Sequence, residues 1–177
     1  MGQPSKHTPV KLIMGFIFND TGVFEKVKMI LAKKFGAIDF ESNVLPFTYT
    51  EYYKEELGDH LKRKFISFEK LILPELLADI KLLTNNLEKR FSTENKRQIN
   101  IDPGYISLSQ LVLATTKDYM HRIYLDKGIY AEVTLFYQNK KFNFWPWTYP
   151  DYKTDVYNEI FNTIRKLYIQ KQITDKK

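Results

Sequence analysis

The chain contains no cysteine, which removes disulfides, thiolate nucleophiles, cysteine-ligated zinc and iron–sulfur clusters in one step. Its three histidines, His7, His60 and His121, are too few and too scattered for a histidine metal site, so no metal is expected and the cofactor stays open. Long apolar runs are also missing. None approaches the roughly 20 residues of a membrane-spanning helix, and residues 1–9 lack the apolar stretch of a signal peptide. These absences fit a cytoplasmic protein with no membrane partner. Gly15 and Gly22 bracket a segment with no following Lys-Ser or Lys-Thr, so there is no phosphate-cradling P-loop. The paired His-x-Thr/Ser motifs of two-histidine phosphoesterases are absent too.

What is present is a globular composition. The 177 residues are 44% hydrophobic and 27% charged, with a high aromatic share of 15%. That length predicts one domain spanning 1–177, with halves at 10–91 and 97–170 and flexible tails at 1–8 and 171–177. The formal charge is +6, but Arg165, Lys166, Lys171, Lys176 and Lys177 against Asp175 place a net +4 of it at the C-terminus. The only tight basic triplet, Lys62-Arg63-Lys64, has acids around it. A nucleic-acid partner is therefore unlikely, since that affinity needs a concentrated basic face.

Periodicity supplies the elements. Val10 to Phe18 is apolar on both parities and reads as a strand covered on both faces, followed by turn and N-cap chemistry at Asn19 to Gly22. Phe24, Val27, Leu31 and Phe35 then make a helix that Gly36 closes in the left-handed conformation. Ile38 and Phe40 alternate with Asp39 and Glu41 as a half-buried strand. Leu61 to Phe68 reads as a strand with a local irregularity. Pro74 opens a helix with Leu76, Leu77, Ile80, Leu83, Leu87 and Phe91 on one stripe. Ser92 to Arg97 is polar and reads as a linker, Ile99 and Ile101 start a strand that Asp102-Pro103-Gly104 interrupts, and Leu108 to Ala114 fits strand or helix equally.

A meander follows. With Asp126-Lys127-Gly128 as a three-residue hairpin loop, Leu125 faces Ile129, Ile123 faces Ala131 and Arg122 faces Glu132. Ile123, Leu125, Ile129, Ala131, Val133 and Leu135 then share one face, and Arg122, Tyr124, Tyr130, Glu132 and Thr134 the other. A turn at Asn139-Lys140 keeps Phe142 and Phe144 on the apolar side. A last helix from about Thr154 buries Val156, Ile160, Ile164 and Leu167. The expected fold is α+β: a mostly antiparallel sheet with a C-terminal three-stranded meander and about three helices packed on one face.

The polar face of the hairpin is the first candidate site. Thr115, Thr116, Lys117, His121 and Arg122 assemble hydroxyls, an ammonium, an imidazole and a guanidinium, a set suited to a phosphate or carboxylate. Glu132 is expected to orient Arg122, His121 and Glu132 are the residues for proton transfer, and Thr134 lies on the same face. Tyr124 and Trp147 would cover the ligand. The aromatic segments Pro46 to Tyr53 and Phe142 to Tyr152 offer flat surfaces for a base or sugar, or else seal the sheet edge. Asp102 and Tyr105 lie in a turn-forming segment, and the carboxylates of Asp39, Glu56, Asp102 and Glu132 have no linear spacing that unites them.

Phe35-Gly36-Ala37-Ile38-Asp39, Pro46 to Tyr53, Asn100 to Tyr105, Leu113 to Asp118, His121-Arg122-Ile123-Tyr124 and Trp147 to Tyr152 together resemble a prokaryotic family catalogued as a domain of unknown function, number 4416. The resemblance spans nearly the whole chain. It implies a bacterial or archaeal origin and a stand-alone domain of this length, and some relatives carry a GTP-binding label. The leading expectation is a small-molecule-binding protein for an anionic or phosphorylated ligand, with an enzymatic role left open. The rivals are a protein-interaction or homodimer module, and nucleotide binding without a P-loop.

Overall fold

The computed structural model describes residues 2–175. Strand β1 (Lys11–Phe18) lies at its centre. Leu12, Met14, Phe16 and Phe18 point to one side, Ile13 and Ile17 to the other, and both sides are covered, which is why neither parity is polar. Asp20 caps helix α1 (Thr21–Phe35), its carboxylate accepting from the Gly22 N–H at 2.7 Å. Gly36 has the positive φ of 97° expected of a helix-ending glycine, but its ψ of −167° is extended rather than left-handed helical.

The chain continues through β2 (Ile38–Glu41), β3 (Leu45–Pro46), a single turn α2 (Lys54–Leu57), β4 (Lys62–Phe68) and α3 (Leu77–Arg90), entered through a 3-10 turn at Pro74–Leu76. Then come β5 (Ile99–Ile106), β6 (Gln110–Thr115), β7 (Ile123–Asp126), β8 (Ile129–Gln138), β9 (Lys141–Phe144), a 3-10 turn at Pro150–Lys153 and α4 (Asp155–Thr174). The strands form one sheet in the order β2-β4-β1-β5-β6-β8-β7, with β3 also on β4 and β9 also on β8. Every pairing is antiparallel. The fold is α+β, and the residues before and after the polar tract 92–97 build the same sheet.

The helices divide between the two faces rather than sharing one. Phe24, Val27 and Leu31 of α1 and Ile80 and Leu87 of α3 pack on the even residues of β1, whereas Tyr157, Phe161 and Ile164 of α4 pack with Ile13 and Phe65 on the other side. A sheet covered on both faces also explains β4. Its register with β1 is continuous, so Arg63 and Phe65 face one layer and Ile66 and Phe68 the other without an irregularity in that pairing.

Several local expectations are corrected. The β7–β8 turn has two residues, Lys127 and Gly128, both with positive φ, so Asp126 rather than Leu125 faces Ile129, and the ladder shifts between Tyr124 and Asp126. A second irregularity between Leu111 and Val112 against β8 sends Val133 to the α3 layer and Leu135 to the α4 layer. The α4 stripe is Tyr157, Phe161, Ile164 and Tyr168, with Val156 exposed. That helix runs to Thr174, so the expected tail is helical through residue 174; residues 1, 176 and 177 lie outside the described residues. The tract 92–97 is a tight turn, Glu94 and Asn95 at its tip, rather than a linker.

One correction creates the site. Asp102-Pro103-Gly104 does not interrupt β5, which pairs with β1 along its whole length. Its pairing with β6 covers only Gly104 to Ile106. The ladder stops beside Pro103, which has no amide hydrogen to extend it. At Gly104 the two strands are pressed together: a Cβ there would lie 2.2 Å from the Val112 carbonyl oxygen. Beyond that point β5 and β6 part. The freed backbone of Ile101 is satisfied from α3, its N–H donating to Glu88 Oε1 at 2.7 Å and its carbonyl accepting from Lys81 Nζ at 2.8 Å.

Candidate functional site in the opening of the sheet

A cavity of about 400 Å³ occupies the opening between β5 and β6, within the size range of small-molecule sites. Its floor is Arg63, which is 1% exposed. The guanidinium donates from Nη2 to the Tyr152 hydroxyl at 2.5 Å and from Nη1 to Asp102 at 3.4 Å. It lies 4.7 Å from the Phe65 ring centre and 5.3 Å from that of Tyr152, close enough for cation–π attraction. Gly15 makes the room, because a Cβ there would lie 2.8 Å from Nη2. The Arg63 Nε is buried without a protein partner.

The α3 side is a closed network. Arg97 donates to Glu56 through Nε and Nη2, both at 2.6 Å, and through Nη1 to Glu88 at 2.9 Å and Asn100 at 3.1 Å. Asn100 in turn donates to Asp102 at 2.9 Å. Burial pushes the Glu88 carboxyl up despite Lys81 and Arg97 beside it, and does the same to Asp151 despite Arg63. The hydrogen bond from Arg97 outweighs burial at Glu56 and holds its carboxyl below the usual range. Burial also raises Tyr53 and Tyr152, which keeps both phenols protonated as donors at neutral pH.

The β6 side is open-handed. Thr115, Thr116 and Lys117 line it where β6 runs out, with Arg122 and Glu132 behind them. Arg122 donates to Glu132 Oε2, the Lys117 carbonyl and the Tyr149 hydroxyl, each at 3.0 Å, which leaves two of its five N–H groups without a partner among the described residues. Lys117 donates to the Tyr52 hydroxyl at 3.2 Å, sits 4.4 Å from that ring's centre, and forms no ion pair among the described residues. The two aromatic segments meet here: Phe47, Tyr49, Tyr52 and Tyr53 from one and Tyr149 and Tyr152 from the other line the same cavity.

Of the residues singled out in the sequence, Asp102, Thr115, Thr116, Lys117, Arg122 and Glu132 line the cavity. His121 stands one layer back, its Nε2 at 3.1 Å from Glu132 Oε2 and its ring stacked on Trp147 at 5.2 Å. Trp147 therefore backs His121 rather than covering the cavity. Tyr124 packs on Tyr130 at the exposed hairpin, Thr134 is buried where β8 shifts register, and Tyr105 packs into the opposite layer; none of the three lines the cavity. Asp102 and Glu132 do reach one cavity and Glu56 reaches its Arg97, but Asp39 is remote, paired with Lys11. The residues that sequence reading missed are Arg63, Lys81, Glu88, Arg97, Asn100 and Asp151. Arg63 is the middle of the basic triplet Lys62-Arg63-Lys64 that opens β4, and nothing in that run marks it as the buried one.

Among the described residues no group of three histidine or acidic side chains is placed to hold a metal ion, and no helix is long and apolar enough to cross a membrane. No curated protein and no solved structure matches the chain. A family model, Domain of unknown function (DUF4416), matches residues 8–168, a span that takes in every strand, the whole cavity and most of α4. On that match the chain belongs to the DUF4416 family.

Proposed function

We propose that the cavity binds a small anionic molecule, best a phosphorylated one, through the β6 side. The observation that carries this reading is the free donor capacity of Lys117 and Arg122 beside the hydroxyls of Thr115 and Thr116, at a wall where other cations are already paired. Glu132 fixes the Arg122 guanidinium, and the Arg63 floor adds a permanent charge beneath the ligand. Five lining cations stand with four lining carboxyls, of which burial raises Glu88 and Asp151, while Glu56 outside the lining pairs with Arg97. Tyr49, Tyr52 and Tyr53 supply flat rings for an uncharged portion, which keeps nucleotides in the group to be tested without a P-loop. His121 acts through Glu132, a placement that supports binding ahead of acid–base catalysis.

Thermal unfolding against inorganic phosphate, pyrophosphate, sugar phosphates and nucleotides tests this directly. A ligand at a hundred times its dissociation constant stabilises by about 2.7 kcal/mol. No shift with any anion would remove the proposal.

A second reading has its own observation. Strand β7 is an exposed sheet edge, with Met120 at 92%, Ile123 at 68% and Tyr124 at 57% exposure, whereas the opposite edge carries Pro46 and the Lys28–Glu41–Lys64 charges. An interaction module would use that edge, and a solution mass that rises with concentration would favour it.

A further inference from the structure

The chain between β3 and β4 crosses the cavity and is held differently at its ends and its middle. Phe47 and Leu57 anchor the ends in a small apolar cluster with Ile17 and Leu61. Between them, residues 48–56 carry Tyr49 and Tyr52, both exposed on their outer side. Two contacts tie this stretch to opposite walls. Glu56 clasps Arg97 with both carboxylate oxygens, and Tyr52 meets Lys117 through its hydroxyl and its ring. The wall partners are cations of the cavity itself. Tyr53 is the one central residue that packs on the anchoring cluster, and a segment held so sparsely, with no strand pairing of its own, is drawn from the low-stability end of a fold.

We propose that residues 48–56 form a lid, latched by Glu56 on Arg97 and by Tyr52 on Lys117, which must open before the cavity admits a molecule from solution. What enters rests on the anion-binding reading; the latch does not. The lid pivots at Phe47 and Leu57, and breaking the Glu56 contact leaves its α2 end held by local backbone turns such as Leu57 N–H on the Tyr53 carbonyl at 2.7 Å, by the exposed ion pairs of Lys54 and by the Tyr53 ring.

The absence of cysteine gives a clean test that needs no ligand. Ala114 is buried and lines the cavity, so Ala114→Cys introduces a single thiol behind the lid. Its reaction with an anionic methanethiosulfonate reagent is timed in that variant and in the same variant with Glu56→Gln, with Lys140→Cys at an exposed turn as the reagent control. Loss of a charge-assisted pair predicts labelling about tenfold faster or more with Glu56→Gln and an unchanged control, with the urea midpoint falling by no more than that one pair is worth. Equal rates would overturn the lid. So would equal acceleration by Ile164→Val, a core change of similar cost on α4 and away from the lid, because the whole fold would then have loosened. Gated labelling together with no thermal shift from any anion would leave the lid standing and remove the anion reading.

Discussion

The two walls of the cavity carry the same kinds of side chain in opposite states of satisfaction. On the α3 side, Lys81, Glu88, Arg97, Asn100 and Asp102 saturate one another and complete the backbone of Ile101 where a neighbouring strand is missing. On the β6 side, Lys117 and Arg122 retain donors with no partner among the described residues. The difference teaches that charge in a cavity is not evidence of a ligand by itself. Buried charges are present where the fold must replace a lost ladder, and the residues suited to recognition are those left incomplete.

The largest expected effect lies at the floor. Arg63→Leu removes the donor to the buried Tyr152 hydroxyl and one of the cations beside Asp102, which keeps Asn100, and loss of such charged hydrogen bonds costs about 3 kcal/mol, read as a lower urea midpoint. A change below 1 kcal/mol would mean that Arg63 is free for a ligand rather than structural. Lys81→Met comes next. It leaves the Ile101 carbonyl unpaired and removes a cation near Asp102, for a cost of about 1–3 kcal/mol. If stability held within 0.5 kcal/mol, the α3 wall would not be the substitute for a strand described above.

A smaller effect is expected from pH. Glu88 and Asp151 have folded-state pKa values above their ordinary ones, so ionising them disfavours the fold. Their contribution is fully present below the ordinary carboxylate range and is lost as pH rises through the raised values. Glu56 runs the other way, stabilising at neutral pH and losing that contribution as pH falls through its depressed value. Affinity for sulfate, an anion that does not titrate in this window as phosphate does, should therefore strengthen as pH drops from neutral toward the upper carboxylate range, and a flat profile contradicts the role given to Glu88 and Asp151. The smallest change in stability belongs to Lys117→Ala, within about 0.5 kcal/mol for a group outside any ion pair. The same variant weakens anion binding about tenfold, the loss of one charge-assisted hydrogen bond.

Much of the architecture was legible. β1, α1 and α3 follow from apolar period and capping residues, and the β8–β9 turn from Asn139-Lys140. The opening in the sheet was not. Asp-Pro-Gly ordinarily turns the chain, and only the pairing with β1 holds it extended here. Arg97 lay in a polar tract that read as a linker, and Arg63 in a strand whose two covered faces erase the alternation that would have set it apart. Thr115 to Lys117 and Arg122 with Glu132 were legible because one hairpin carries them together, whereas Lys81, Glu88 and Asp151 reach the cavity only through long-range packing. The hairpin pairing of Ile123 with Ala131 was legible, and only the residue facing Ile129 was misjudged, because a two-residue turn with an irregularity and a three-residue loop share the same residues.

Backbone amide NMR during titration with pyrophosphate addresses the anion site most directly. The account predicts saturable shifts concentrated at Thr115, Thr116, Lys117 and Arg122, sharply reduced in Lys117→Ala. Shifts confined to the basic end of α4, or spread evenly over the surface lysines, would contradict it.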